Sequence, residues 1–160
     1  MTESSINSVL FVCLGNICRS PSAHGVFRHM LKTAGEGVKV DSAGTAASHR
    51  GGSPDKRSLK VAKARGYEFS DLRARKVTDQ DFEQFDLVLA MDNENLQDLQ
   101  AICPPEHQAK VKLFMHYAQK HQDQSEVPDP YYGGAAGFEY VLDLIEDASS
   151  GLLASITKNR

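Results

Sequence analysis

A cysteine and an arginine near the start of the chain are spaced for chemistry on a phosphoryl group. Cys13 and Arg19 follow the pattern Cys-x5-Arg within the segment CLGNICRSP. A cysteine thiolate is a nucleophile, and the planar guanidinium of arginine holds two phosphoryl oxygens in a geometry that lysine does not match. Gly15 and Asn16 tolerate positive φ, so successive backbone N–H groups can point inward and bind an anion. The segment predicts a phosphate-binding loop around a thiol that its donors keep ionised.

The elements on either side of this loop follow from local sequence. Residues Ser8–Cys13 form a continuous apolar run, β-branched and aromatic, which is typical of a strand buried on both faces. Pro21 suits the first turn of a helix, whose N-terminus adds partial positive charge to the loop. A nucleotide-binding P-loop is excluded because no Gly-Lys-Ser/Thr is present, and G-x-G-x-x-G is excluded because the segment holds a single glycine.

Three further strands and three further helices are predicted along the chain. The strands span residues 38–42, 86–91 and 111–114, and residues 43–52 are predicted as a loop. The first of these helices has Pro54 at its first position and stops at Gly66. The second opens at residue 92 and ends before Pro104, and the third runs from about residue 137 to 157. Strands separated by helices favour parallel pairing, so the prediction is an α/β fold with a four-stranded parallel sheet flanked by helices on both faces. The phosphate loop follows strand 1, where such sheets bind ligands.

Length, composition and charge limit the class of protein. The chain of 160 residues fits one domain, expected over residues 1–160. Eighteen basic and 21 acidic residues give a formal net charge of −3. This charge argues against a nucleic-acid-binding function, because proteins that bind the phosphate backbone are usually basic. Apolar runs of about five residues are too short for a membrane span, and the first five residues lack the basic start of a signal peptide. Three cysteines are too few for a disulfide framework, so we expect a reduced, cytoplasmic protein without a membrane partner.

A second reactive group is predicted near the C-terminal end of the sequence. A phosphate ester needs a proton on its leaving oxygen, so the loop requires an acid from elsewhere in the chain. Asp129 is the candidate, because Pro128 and Pro130 stiffen the chain around it. Neither metal nor cofactor is expected. Arginine and backbone N–H donors can stabilise the negative charge of the phosphoryl oxygens, and the six histidines form no pair with the spacing of a zinc motif.

The segment CLGNICRSP resembles the signature of the low-molecular-weight protein tyrosine phosphatases. The similarity continues in the segments DSAGT at 41–45, SPD at 53–55, AR at 74–75, FD at 85–86, MD at 91–92 and DPYYG at 129–133. The resemblance implies a four-stranded parallel sheet flanked by helices, in agreement with the pattern of elements. It also implies hydrolysis of phosphotyrosine proteins or small aryl phosphates through a cysteinyl-phosphate, with inorganic phosphate as product and no cofactor.

The resemblance also implies roles for individual residues. Cys13 would be the nucleophile, Arg19 a phosphate ligand and Asp129 the general acid. Asn16 would hold the shape of the loop, and Ser20 would hydrogen-bond the cysteine sulfur. The implied phosphate-binding residues are Leu14, Gly15, Asn16, Ile17, Cys18 and Arg19, and the implied rim of the substrate slot comprises Ser48, Tyr131 and Tyr132.

Cys18 is a second thiol in the same loop, five residues after Cys13. Peroxide attacks an open thiolate first, and a neighbouring thiol would trap the resulting sulfenic acid as a disulfide. The bond requires the two Cα atoms within about 7 Å, which a tight loop permits. We predict a redox role for Cys18, in line with the same pair in the resembled family; the alternative is that Cys18 only fills space beneath the loop.

Three positions depart from the family pattern. Ser48 stands where bacterial members often carry a tryptophan, and the chain has no tryptophan. Leu72 stands where a histidine commonly supports the phosphate loop, and His24 stands where an acidic residue is common. The resemblance therefore implies the same reaction with a changed wall of the ring slot and a changed support beneath the loop.

Two other functions fit the same loop. A thioredoxin-coupled arsenate reductase would need two more thiols downstream to relay a disulfide, and after Cys18 the sequence supplies only Cys103, on an apolar stripe. A non-catalytic phosphate-binding module would be expected to lack the thiol, the arginine or the acid, and all three are present. Both alternatives are therefore less favoured than a phosphatase.

Overall fold

The predicted four-stranded parallel sheet is confirmed in the computed structural model, which describes residues 6–46, 48–130 and 134–158. The strands are β1 (Ser8–Cys13), β2 (Lys39–Gly44), β3 (Leu87–Ala90) and β4 (Val111–Leu113), in the order β2-β1-β3-β4. The helices are α1 (Arg19–Ala34), α2 (Lys56–Ala64), α3 (Asp79–Gln84), α4 (Asn93–Ile102) and α5 (Gly134–Lys158). Two 3₁₀ helices, Pro105–Lys110 and Phe114–Tyr117, flank β4.

Strand β1 lies in the middle of the sheet and is buried along its whole length. Alternate side chains enter different apolar clusters, with Phe11 on the face covered by α1, α2 and α5 and Leu10 on the face covered by α3 and α4. Phe11 packs edge-on against Phe27 of α1 and against Phe114. A strand covered on both faces has no polar side to show, which explains its uninterrupted apolar sequence.

Helix α2 begins two residues later than predicted. Pro54 was expected at the first helical position, whereas the helix starts at Lys56 and Asp55 is its N-cap, accepting the Arg57 N–H at 2.8 Å. The N–H of Asp55 is held by the carbonyl of Ile17 at 2.7 Å, a contact that keeps this part of the chain extended. The tertiary contact therefore outweighs the local preference of proline for the first turn.

Other boundaries also differ from the sequence-based expectations. Strand β2 continues to Gly44, into the predicted loop, because Cys13 and Gly44 are paired in the β1–β2 ladder. Helix α5 starts at Gly134 rather than near residue 137. Helix α3 was not predicted, and the Thr78 and Asp81 side chains form a capping box at its start. Among the described residues, no helix combines the length and the apolar character needed to cross a bilayer.

Candidate active site

The loop after β1 is held in a conformation that only a few residue types tolerate. Asn16 has φ of 57°, the one positive value among the described non-glycine residues. Gly44, at the end of β2, lies against the loop so closely that a Cβ there would approach the Leu14 carbonyl oxygen to 2.7 Å. The end of β2 and the turn at Asn16 together wrap the loop around the Cys13 side chain.

Two donors converge on the sulfur of Cys13. The Asn16 N–H donates to Sγ at 3.3 Å, and the Ser20 hydroxyl lies 3.0 Å from Sγ. The Asn16 side-chain amide donates to Ser20 Oγ at 2.7 Å. Because that oxygen accepts from Asn16, its own proton can turn to the sulfur or to the Ala43 carbonyl, which lies at 3.4 Å. The arrangement stabilises negative charge on Cys13, as expected for a nucleophilic thiolate.

Arg19 is the first residue of α1, and its side chain is almost completely buried at the edge of the sheet. Its Nη1 donates to Asp92 Oδ2 at 2.6 Å and to the Val127 carbonyl at 2.9 Å. Burial by itself would lower the pKa of Arg19, but negative charge at Cys13 and at Asp92 outweighs that effect and raises the pKa above its ordinary value. The guanidinium therefore stays charged and is aimed by fixed partners before any ligand binds.

Asp92 was not assigned a role from the sequence, yet it links two parts of the site. Its Oδ1 accepts the Asn95 N–H at 2.8 Å and caps α4, while its Oδ2 binds Arg19. The residue comes two positions after the end of β3, at the carboxyl edge of the parallel sheet, where functional groups collect. That position is the signal by which Asp92 could have been found from the sequence.

Asp129 faces Arg19 from a separate segment of chain. Its Oδ2 lies 3.9 Å from Arg19 Nη2, and its side chain is 47% exposed. The N–H of Val127 donates to the Met91 carbonyl at 2.7 Å, which fastens this segment to the end of β3. Asp129 is thus within reach of a group bound by the loop while its carboxyl remains open to solvent.

One cavity of about 260 Å³ brings the predicted reactive groups together. Its lining residues are Cys13, Leu14, Gly15, Ile17, Cys18, Arg19, Ser48, His49 and Asp129. His49 was not predicted, and its ring lies beside Gly15, where a Cβ would come within 2.9 Å of it. The predicted rim tyrosines Tyr131 and Tyr132 lie outside the described residues.

Cys18 lines the same cavity but differs chemically from Cys13. Its burial, the nearby Asp55 carboxylate and the charge of Cys13 raise the pKa of the Cys18 thiol to about 12. Cys18 therefore keeps its proton at neutral pH, and both thiols are unpaired. Cys103 is also free and lies buried in the apolar cluster between the sheet and α4.

The supports beneath the loop have changed partners relative to the family pattern. Leu72 packs against the apolar core. The Asn16 side-chain oxygen accepts the Arg75 N–H at 3.0 Å, and the Arg75 guanidinium is held by Asp41 and Asp81 at 3.0 and 2.9 Å. Arg75 was not predicted to support the site, because its contacts join segments far apart in the chain.

His24 is buried on α1, one turn beyond Ser20. Its Nδ1 lies 3.1 Å from the Ser42 hydroxyl. Burial lowers the pKa of His24 to about 4, so the imidazole is neutral at physiological pH. A neutral histidine thus occupies a position at which the resemblance implies an acid.

Comparison with known proteins identifies a single family. The family model described as "Low molecular weight phosphotyrosine protein phosphatase" matches residues 8–160. A putative low molecular weight protein-tyrosine-phosphatase of Synechocystis is 50% identical over 153 residues, covering 94% of this chain and 96% of the relative. The human low molecular weight phosphotyrosine protein phosphatase is 41% identical over 143 residues, covering 88% and 90%.

Solved structures give the same result. A protein tyrosine phosphatase from Entamoeba histolytica, crystallised with Hepes in its active site, has a TM-score of 0.91 and 40% identity, over 94% of this chain and 97% of the other. The structure of YfkJ from Bacillus subtilis has a TM-score of 0.90 and 40% identity, over 98% of both chains.

Proposed function

The chain belongs to the low molecular weight phosphotyrosine protein phosphatases, and on that premise we propose that it hydrolyses phosphotyrosine and aryl phosphates through a phosphoryl group carried on Cys13. The observation that carries the proposal is the convergence of Cys13, Arg19 and Asp129 on one cavity. A thiol, a cation for the phosphoryl oxygens and an acid for the leaving group are the three parts this reaction needs.

In the first step, the Cys13 thiolate attacks phosphorus in line, on the side opposite the ester oxygen. The S–P bond forms as the P–O bond to the phenol breaks, and Asp129 gives its proton to the departing oxygen. Arg19 and backbone N–H groups of the loop bind the three equatorial oxygens. Because Asp92 and the Val127 carbonyl already orient Arg19, these contacts form with little reorganisation.

In the second step, water attacks the phosphorus of the cysteinyl-phosphate. Asp129, now a carboxylate, takes a proton from that water, the S–P bond breaks and inorganic phosphate is released. The electron pair returns to the Cys13 sulfur, where the Ser20 hydroxyl and the Asn16 N–H stabilise the thiolate. Cys13 is thus regenerated without an external reductant or a second substrate.

The mouth of the cavity favours a flat apolar ring next to the phosphoryl group. Leu14 is 46% exposed, an unusual position for a large apolar side chain, and Ile17 lines the same cavity. Ser48 and His49 line the cavity with them. Phosphotyrosine in a protein and small aryl phosphates both present this chemistry, and the rim proposed from the resemblance includes Tyr131 and Tyr132.

The proposal extends to the whole chain and its setting. The proposed single phosphatase domain, residues 1–160, is supported by the family match over residues 8–160. A cytoplasmic location is supported by three free thiols, one of them the proposed nucleophile, because such thiols persist in reducing compartments.

Turnover of p-nitrophenyl phosphate and of a phosphotyrosine peptide tests the proposal directly. Wild type should release phosphate from both, and Cys13→Ser should lose turnover while it still binds inorganic phosphate, measured by calorimetry. Wild type without turnover of either compound, or a fully active Cys13→Ser variant, would reject the proposed function.

A further inference from the structure

The exposed side of α2 carries three lysines in one row. Lys56, Lys60 and Lys63 are all exposed, and with Leu59 they line a surface cavity of about 420 Å³. Within the described residues, none of the three has a carboxylate oxygen within 4 Å. Lys56, Lys60 and Lys63 are called the lysine row below.

The arginines of the same segment are used differently. Arg57 pairs with Asp55 at 3.0 Å and stacks over the ring of Phe138, with 4.6 Å from its central carbon to the ring centroid. Arg65 pairs with three carboxylates of α5, those of Glu139, Asp143 and Glu146. These arginines fasten α2 to its neighbours, whereas no salt bridge among the described residues holds the lysine row.

The lysine row starts beside the candidate active site. The N-cap of α2, Asp55, donates its N–H to the carbonyl of Ile17, and Ile17 lines the catalytic cavity. From Lys56 to Lys63 the helix rises about 10 Å, the length of three or four residues of an extended peptide. A chain whose phosphotyrosine enters the cavity at Ile17 can therefore pass along the row.

We propose that the lysine row binds an acidic segment that flanks the phosphotyrosine of a protein substrate. This inference rests on the proposed phosphatase function. The charge is local: six of the basic residues lie between Arg50 and Arg65, where Asp55 is the only acid, although the chain as a whole carries −3. Glu68, also at the cavity, is the one carboxylate that lines it, so the positive charge there is in excess.

A peptide fits these observations better than an anionic membrane. Recognition of anionic lipid by charge alone uses clusters of about four to eight basic residues, and the row has three. Leu59 and the lysine side chains line a shallow, open surface cavity, and a narrow chain with a few carboxylates can lie along it.

The test compares kcat/KM between two phosphotyrosine peptides, one with a run of four glutamates and one with four glutamines in the same places. In one such pair the run precedes the phosphotyrosine, and in a second pair it follows the phosphotyrosine. The row variant replaces all three lysines with glutamine. The matched control replaces Lys32, Lys120 and Lys158 with glutamine, since these lysines are also exposed but lie on other parts of the chain. Hydrolysis of p-nitrophenyl phosphate, which has no flanking residues, measures the active site alone.

Each exposed ion pair should change kcat/KM about twofold. Three ion pairs therefore predict that, at low salt, wild type prefers the glutamate peptide of one pair about eightfold over its glutamine counterpart. The preference should fall toward unity at high salt. The row variant should lose it with p-nitrophenyl phosphate turnover unchanged, and the control variant should keep it. No preference in wild type, or a preference that survives in the row variant, would overturn the proposal.

Two further results are informative. Equal loss in the control variant would assign the preference to total charge rather than to the row and would overturn the proposal. Row-dependent sedimentation with phosphatidylserine vesicles, without a peptide preference, would assign the row to a lipid surface and overturn it as well. If wild type failed to hydrolyse p-nitrophenyl phosphate, the proposed phosphatase function would be rejected. Fluorescence anisotropy with the same peptide pairs would still show whether the lysine row binds the glutamate peptide more tightly than the glutamine peptide.

Discussion

Asp92→Asn isolates the contribution of the carboxylate that orients Arg19. Asp92 uses one oxygen to cap α4 through Asn95 and the other to bind the guanidinium at 2.6 Å. Asparagine can keep the capping oxygen, but its amide nitrogen then points at the guanidinium, so that two donors face each other. The substitution therefore removes the charge and the orientation of Arg19 with little change in the shape or the cap.

The expected loss follows from the strength of this contact. A hydrogen bond between charged groups contributes about 1.5–3 kcal/mol, and each 1.36 kcal/mol is a tenfold change in rate. Because Arg19 binds the phosphoryl oxygens most strongly in the transition state, kcat/KM for p-nitrophenyl phosphate should fall by about 10- to 150-fold. Inhibition by inorganic phosphate should weaken less, since phosphate resembles the ground state more than the transition state.

Stability measurements separate orientation from folding. Asp92→Ala removes the cap as well as the charge. Its free energy of unfolding should therefore be lower than that of Asp92→Asn by about 1 kcal/mol, the contribution of one N-cap. Activity should be low in both variants. If Asp92→Asn kept kcat/KM within threefold of wild type and bound phosphate normally, the claim that Asp92 orients Arg19 would be refuted.

Three more predictions concern other parts of the site. Asp129→Asn should slow phenyl phosphate about 100-fold or more and p-nitrophenyl phosphate much less, because a poor leaving group needs the proton; equal losses would exclude Asp129 as the acid. Burial lowers the pKa of His24 in the folded state to about 4, whereas in the unfolded chain it is about 6.5. As the pH falls from about 6.5 to 4, the free energy of unfolding of wild type should therefore decrease by up to about 3 kcal/mol more than that of His24→Asn, as measured by denaturant titration. Parallel pH profiles of the two proteins would contradict this. After peroxide treatment, dithiothreitol should restore wild type more fully than Cys18→Ser, because a Cys13–Cys18 disulfide blocks further oxidation; equal recovery would leave Cys18 a packing residue.

The parts of the fold that local sequence encodes were predictable. The apolar run of β1 and the Gly15–Asn16 turn specify a buried strand and an anion-binding loop through residues that are neighbours in the chain. The N-cap of α4 at Asp92 could also be predicted, because aspartate there precedes an amphipathic stretch.

The parts that depend on distant contacts were not predictable. Helix α3 has only six residues, too few for a periodic apolar signal, and Asp81 in its first turn also binds Arg75. The start of α2 is set by a bond from Asp55 to the carbonyl of Ile17. The pairing of Arg19 with Asp92 joins residues 73 positions apart, so the sequence indicated the edge of the sheet but not the partner.

Trapping the phosphorylated enzyme shows whether Cys13 carries the phosphoryl group. Asp129→Asn, in which hydrolysis of the intermediate is slowed, is mixed with p-nitrophenyl phosphate, quenched rapidly and analysed by mass spectrometry of its peptides. We expect one added phosphoryl group on the peptide that carries Cys13, and none when Cys13→Ser is added to the same variant. A phosphoryl group on another residue, or steady turnover by the Cys13→Ser enzyme, would contradict it.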